Sequence, residues 1–97
     1  QNVYPEEIED KLNSMPMVGE SLVLQSGDSL IALVYPDPDD VNRIPLSTEE
    51  VNLVMEQNRQ ELNAQLPVFC RLKEIRLHDS EFEKTAKKSI KRYLYKA

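Results

Sequence analysis

Residues 21–35 read SLVLQSGDSLIALVY, and this stretch decides the fold class. Ser21 to Gln25 and Leu30 to Tyr35 are two apolar runs of strand length. Between them, Ser26-Gly27-Asp28-Ser29 supplies the backbone freedom of a tight turn. The stretch therefore predicts an antiparallel hairpin. Its second strand, with no polar residue from Leu30 to Val34, is expected to be central and buried.

On the N-terminal side, Pro5 is placed at a first helical position, where its missing N–H costs nothing, and Glu6, Glu7 and Glu9 suit the positive end of the helix dipole. Ile8, Leu12 and Met15 form one apolar face, and Pro16 stops a helix of about ten residues. On the C-terminal side, Asp37-Pro38-Asp39-Asp40 reads as a solvated acidic loop, lacking the spacing and glycine of a calcium-binding EF-hand. Ser47 and Glu50 then make a capping box. It precedes a stripe at Val51, Val54, Met55, Leu62 and Leu66, predicting a helix of about eighteen residues that Pro67 ends. A third strand is expected at Leu72 to Leu77, where the imperfect alternation suggests an effective start at Lys73. The sum is a small two-layer α/β (α+β) domain: about three strands, with a β-hairpin, covered by two helices.

Composition narrows the function. Ninety-seven residues, 40% apolar and 30% charged, fit one domain with a modest core. No apolar run approaches the roughly 20 residues of a bilayer span. The single cysteine, Cys70, excludes an internal disulfide and fits a reducing, cytoplasmic setting, and its simplest role is that of a small buried hydrophobe. With His78 it exhausts the soft ligands, so no metal site is expected. The chain begins with Gln1 and carries no signal peptide, which suggests a piece of something longer.

Charge is distributed unevenly. Lys84, Lys87, Lys88, Lys91, Arg92 and Lys96 are six of the twelve basic residues, while all seventeen acidic ones lie in residues 1–83. An acidic body thus carries a cationic tail, EFEKTAKKSIKRYLY at residues 81–95, and such a tail suits an anion. Interleaved Tyr93 and Tyr95 could stack bases, which opens the alternative of an interaction module binding nucleic acid or an anionic membrane. A net charge of −5 argues against nucleic acid and leaves at most peripheral membrane contact.

Three segments carry a family resemblance over essentially the whole chain. Residues Asn2 to Glu9 resemble the NxxPxEIE segment that opens the small C-terminal domain of adenylate-forming enzymes. Leu66-Pro67-Val68-Phe69 resembles their LPxY-type segment, and Lys84 to Arg92 their closing KTxTGKIxR segment. The EFEKT lead and the IKR ending are most similar to bacterial long-chain fatty acid CoA ligases. The resemblance implies that residues 1–97 form the mobile lid of an acyl-CoA synthetase-like enzyme, partnered by a large N-terminal adenylation domain absent from this chain. Such an enzyme joins a fatty acid to ATP, with Mg2+ expected, and then transfers the acyl group to CoA. The 97 residues alone are expected to be inactive and monomeric, with a tail that lacks order until the large domain closes on it.

In the first step a closing-segment lysine neutralises charge between the acid and the phosphates, and positioning plus charge neutralisation is most of what such a step needs. Ungapped alignment through Lys84-Thr85 and Ile90-Lys91-Arg92 puts the family's Gly-Lys pair on Lys88-Ser89, so Ser89 occupies the lysine position. A serine hydroxyl hydrogen-bonds phosphate but brings no charge. In an extended segment Lys88 points away from Ser89, and Lys87 shares its face about 6.6 Å along. Through a bulge or one-residue slip, Lys88 is expected to do the lysine's work, with Lys87 in reserve. Asn2, Glu7, Lys91 and Arg92 are the accompanying candidates for substrate or cofactor binding, although Glu7 in a first helical turn and Lys91 and Arg92 beside an amphipathic Ile90, Tyr93 and Leu94 also have structural explanations.

Overall fold

A computed structural model describes residues 4–43 and 46–96. Helix α1 spans Pro5–Asn13, β1 Val18–Ser26, β2 Ser29–Pro36, α2 Pro38–Arg43, α3 Thr48–Asn63 and β3 Leu72–Leu77, with single 3-10 turns at Val68–Cys70 and Arg92–Leu94. The three strands make one mixed sheet in the order β1-β2-β3. The β1–β2 pair is antiparallel and closes through Gly27 and Asp28, where Gly27 takes a left-handed φ of 61°. The β2–β3 pair is parallel.

Period-two alternation divides the strands between two cores. Val23, Ala32, Val34 and Leu72 face α1 and α3, where Ile8, Leu12, Val51, Met55 and Leu62 close over them. Leu22, Ile31 and Leu33 face the other way, and there the cover is Phe82 of the C-terminal segment, with Ile90 and Tyr95 beside it. Strand β2 is therefore buried on both sides, as its unbroken apolar run requires.

Helix α3 opens with the expected reciprocal cap: Glu50 N–H donates to Ser47 Oγ at 3.2 Å, and Ser47 N–H to Glu50 Oε1 at 3.0 Å. Its stripe contains a polar member, Asn58, which is buried and donates from Nδ2 to the Pro16 carbonyl at 2.9 Å. The helix ends at Asn63, before Leu66 and Pro67. Asn63 reaches β3 instead: its Oδ1 accepts from Leu72 N–H at 2.8 Å, and its Nδ2 donates to Leu72 O at 2.9 Å.

Two other expectations change. Residues expected to be an acidic loop include helix α2, because Asp37 Oδ1 accepts from Asp39 N–H at 2.9 Å, Pro38 fits the first turn, and Asp39 and Asp40 suit its dipole. Strand β3 begins at Leu72 and not Lys73. Leu72 pairs with Leu30 and Glu74 with Ile31, so Lys73 is the extra residue of a bulge, which accounts for the broken alternation.

Candidate functional site

The tail supplies the site. From Phe82 it runs across the second sheet face and folds back on itself, with Lys84 bridged antiparallel to Ile90 and Lys91 N–H donating to Glu83 O at 2.8 Å. Residues 85–89 form the connecting turn. Thr85 N–H donates to Ser89 O at 2.8 Å, Lys88 N–H to Thr85 O at 2.9 Å, and Ser89 N–H to Thr85 Oγ1 at 3.3 Å. The segment is thus a hairpin closed by these bonds. Its anchor is Phe82, only 2% exposed, whose ring lies 5.1 Å from Tyr95 and 4.7 Å from His78.

Because the segment turns, the alternation of an extended strand does not apply. Lys88 has a left-handed φ of 65°, a conformation that favours glycine. It stands where the family resemblance puts a glycine. Lys88 and Ser89 both line one cleft of about 430 Å³, whose walls include Glu6, Glu9 and Asp10 of α1 and Glu20 of β1. Lys87 is exposed at the turn.

Two cations of the tail are already committed. Lys84 Nζ pairs with Glu20 Oε2 and also donates to Phe82 O at 3.1 Å. The hydrogen bond from Glu20, more than any other influence, raises the Lys84 pKa. Arg92 Nη2 pairs with Glu9 Oε1. Among the described residues, Lys87, Lys88, Lys91 and Lys96 make no salt bridge, so these carry the available positive charge.

Of the other candidates, Glu7 is exposed on α1 and does not line the cleft, Lys91 is half-buried, and Asn2 lies outside the described residues. Tyr93 is 76% exposed, and Leu94 is exposed as well, so neither packs on the body as the amphipathic reading expected. A 3-10 turn with three residues per turn puts Arg92 and Tyr95 inward instead. A second hollow, of about 370 Å³, lies between α2 and the ends of β2 and β3, and none of the candidates among the described residues lines it. Among the described residues no group of His, Cys, Asp and Glu side chains is arranged to hold a metal ion, and no helix is long and apolar enough to cross a membrane.

Glu9, Glu20 and Phe82 were not among the candidate site residues read from sequence. Glu9 follows Ile8 and precedes Leu12 by three, which places it on the buried helix face. Glu20 shares its strand face with Leu22 and Leu24. Phe82 is a lone large apolar residue between two glutamates.

No protein-family model and no curated protein matches this chain. Solved structures do match. The adenylation domain of a carboxylate reductase from Mycobacterium chelonae aligns over 95% of this chain at 17% identity with a TM-score of 0.80. A benzoate CoA ligase from Burkholderia xenovorans aligns over 97% at 21% identity with a TM-score of 0.71, and a Brucella canis acyl-CoA synthetase over 97% at 22% and 0.71. The chain spans 16%, 18% and 17% of those three proteins in turn. It therefore has the fold of a small portion of these adenylating and CoA-ligating enzymes.

Proposed function

We propose that this chain is the mobile C-terminal domain of an ATP-dependent, AMP-forming ligase that adenylates a carboxylic acid and then forms the CoA thioester. The finer reading, a long-chain fatty acid as substrate, rests on the resemblance of residues 81–92 to the closing segment of such ligases. The observation that carries the proposal is the 85–89 turn. It presents Lys87, Lys88 and Ser89 on a hairpin fixed to a domain of this fold.

A carboxylate approaching a triphosphate meets like-charge repulsion, and a lysine, with a reference pKa near 10.4, is a dependable cation at pH 7. In this reading Lys88 supplies that charge, Ser89 Oγ donates a hydrogen bond to a phosphate oxygen, and Lys87 stands in reserve. Lys91 adds positive potential along the same stem. Residues near Asn2 and Glu7 meet CoA in the second step. ATP, with Mg2+, and CoA bind between this domain and a large N-terminal adenylation domain, so the 97 residues alone turn nothing over. The setting is the cytoplasm, where both cosubstrates are abundant.

The test is acid-dependent pyrophosphate release from ATP by the longer protein, across a panel of fatty acids. Deleting residues 84–96 is expected to abolish release, because it removes the charge-neutralising group. Full activity in the deletion would contradict the proposal. The competing reading, a module that binds nucleic acid or anionic membrane, draws on the exposure of Tyr93 beside Lys91 and Lys96. Commitment of Lys84 and Arg92 to Glu20 and Glu9 weakens it. Salt-sensitive binding of the 97-residue chain to single-stranded RNA or to phosphatidylserine vesicles would revive it.

A further inference from the structure

We infer that Glu9 and Glu20 are positioning residues, two carboxylates from separate elements that clamp the two stems of the 84–92 hairpin. Each uses both oxygens, one on a tail cation and one on a backbone N–H. Glu20 pairs with Lys84 through Oε2 and accepts from Phe82 N–H through Oε1 at 3.1 Å. Glu9 pairs with Arg92 through Oε1 and accepts from Val23 N–H through Oε2 at 2.7 Å. The Lys84 stem enters the turn and the Arg92 stem leaves it, so the clamps sit on either side of the segment that carries Lys88.

The chemistry of these contacts explains their use. A charge pair removed from water recovers little more than its desolvation cost, so its main contribution is to specify one geometry. Apolar contacts slide, whereas a carboxylate bonded at both oxygens fixes direction. Glu9 is suited to this, being 7% exposed although it sits on a surface helix. Its Val23 contact ties α1 to the sheet, and its Arg92 contact ties α1 to the tail, so one side chain sets the tail against both. The clamps also neutralise Lys84 and Arg92, which keeps those cations from competing with Lys88 for an anion.

The clamp itself is tested on the 97-residue chain by amide hydrogen exchange in Glu9→Gln and Glu20→Gln. Exchange at the amides of Thr85, Lys88 and Lys91 should quicken on the order of tenfold, with the β2 amides unchanged. The reversed pair, Glu20→Lys with Lys84→Glu, should restore the part of the protection at Thr85, in the Lys84 stem, that the charge pair supplies. Unchanged exchange at those three amides in both glutamine variants would overturn the clamp.

The consequence for catalysis rests on the ligase reading proposed above and is measured in the longer protein, half-reaction by half-reaction. Misplacing Lys88 should lower kcat for pyrophosphate release roughly 10- to 100-fold with the KM for ATP unchanged. Thioester formation from supplied acyl-adenylate should fall far less. Equal loss in both half-reactions would mark general destabilisation and overturn the positioning role. If the wild-type longer protein releases no pyrophosphate with any acid, the ligase reading fails, and the exchange experiment alone still decides the clamp.

Discussion

The two faces of the sheet are covered in different ways. On one, α1 and α3 lay helical stripes over Val23, Ala32, Val34 and Leu72, and the cover is apolar and regular. On the other, a segment with little regular structure is held over Leu22, Ile31 and Leu33 by a single buried ring, Phe82, with Ile90 and Tyr95 at its margin and charge pairs at its stems. Helical cover maximises apolar contact and sustains stability. The strap gives up area and gains a fixed, solvent-facing turn on which charged side chains can be displayed. A small domain with one sheet can thus cover one face with helices and the other with a charged strap.

The comparison fails if both covers contribute alike to stability, and truncating each is the way to find out. Leu62 of α3 is fully buried against the sheet, and Leu62→Ala should lower the global unfolding free energy by about 2–5 kcal/mol, read from urea denaturation. Phe82→Ala should cost less, about 1.5–3 kcal/mol for lost burial, because the strap can leave the sheet without unfolding the helical face. Its signature is exchange protection lost in residues 82–95 and kept in α3. If Phe82→Ala unfolds the whole chain as readily as Leu62→Ala, the two faces are one cooperative core.

Two smaller effects sharpen the contrast. Lys88 holds a left-handed backbone, so Lys88→Gly should relieve strain of about 1 kcal/mol within the turn and raise the protection of the Thr85 and Lys88 amides. No gain would mean that the turn is held open by its neighbours. On the helical side, the bidentate Arg59 guanidinium lowers the Glu56 carboxyl pKa to about 2. A depressed carboxylate contributes stability above its unfolded value, near 4.5, and loses it as pH falls toward 2. Since Glu56 is half-exposed, Glu56→Gln should remove less than about 1 kcal/mol at pH 7 and nothing below pH 2.

Local signals were readable in the sequence. The hairpin turn, the Ser47 capping box and the Ile8 and Leu12 face each lie within a few residues of one another, and the structure has all three where their spacing put them. Helix α2 was legible too, in the Asp-Pro-Asp-Asp order, but three carboxylates suggested solvent more strongly than a cap. The second sheet cover was not legible. Phe82, Ile90 and Tyr95 follow no period, and Glu9 meets Arg92 across 83 positions. At the site, the composition of residues 84–92 pointed to an anion, whereas the shape of the turn did not follow from it. An extended reading put Lys88 and Ser89 on opposite faces, whereas in the turn, with Lys88 in a left-handed backbone, both line one cleft.

The central claim, that this turn delivers the charge for adenylation, is tested most directly by pyrophosphate release in the longer protein carrying Lys88→Ala, Lys87→Ala or Ser89→Lys. The account expects robust wild-type release that falls roughly 100- to 1000-fold in Lys88→Ala alone, the size seen when one stabilising group is deleted from a charged transition state. A nearly inert wild type that Ser89→Lys restores would contradict it, because the charge would then belong at position 89 and be missing from this chain.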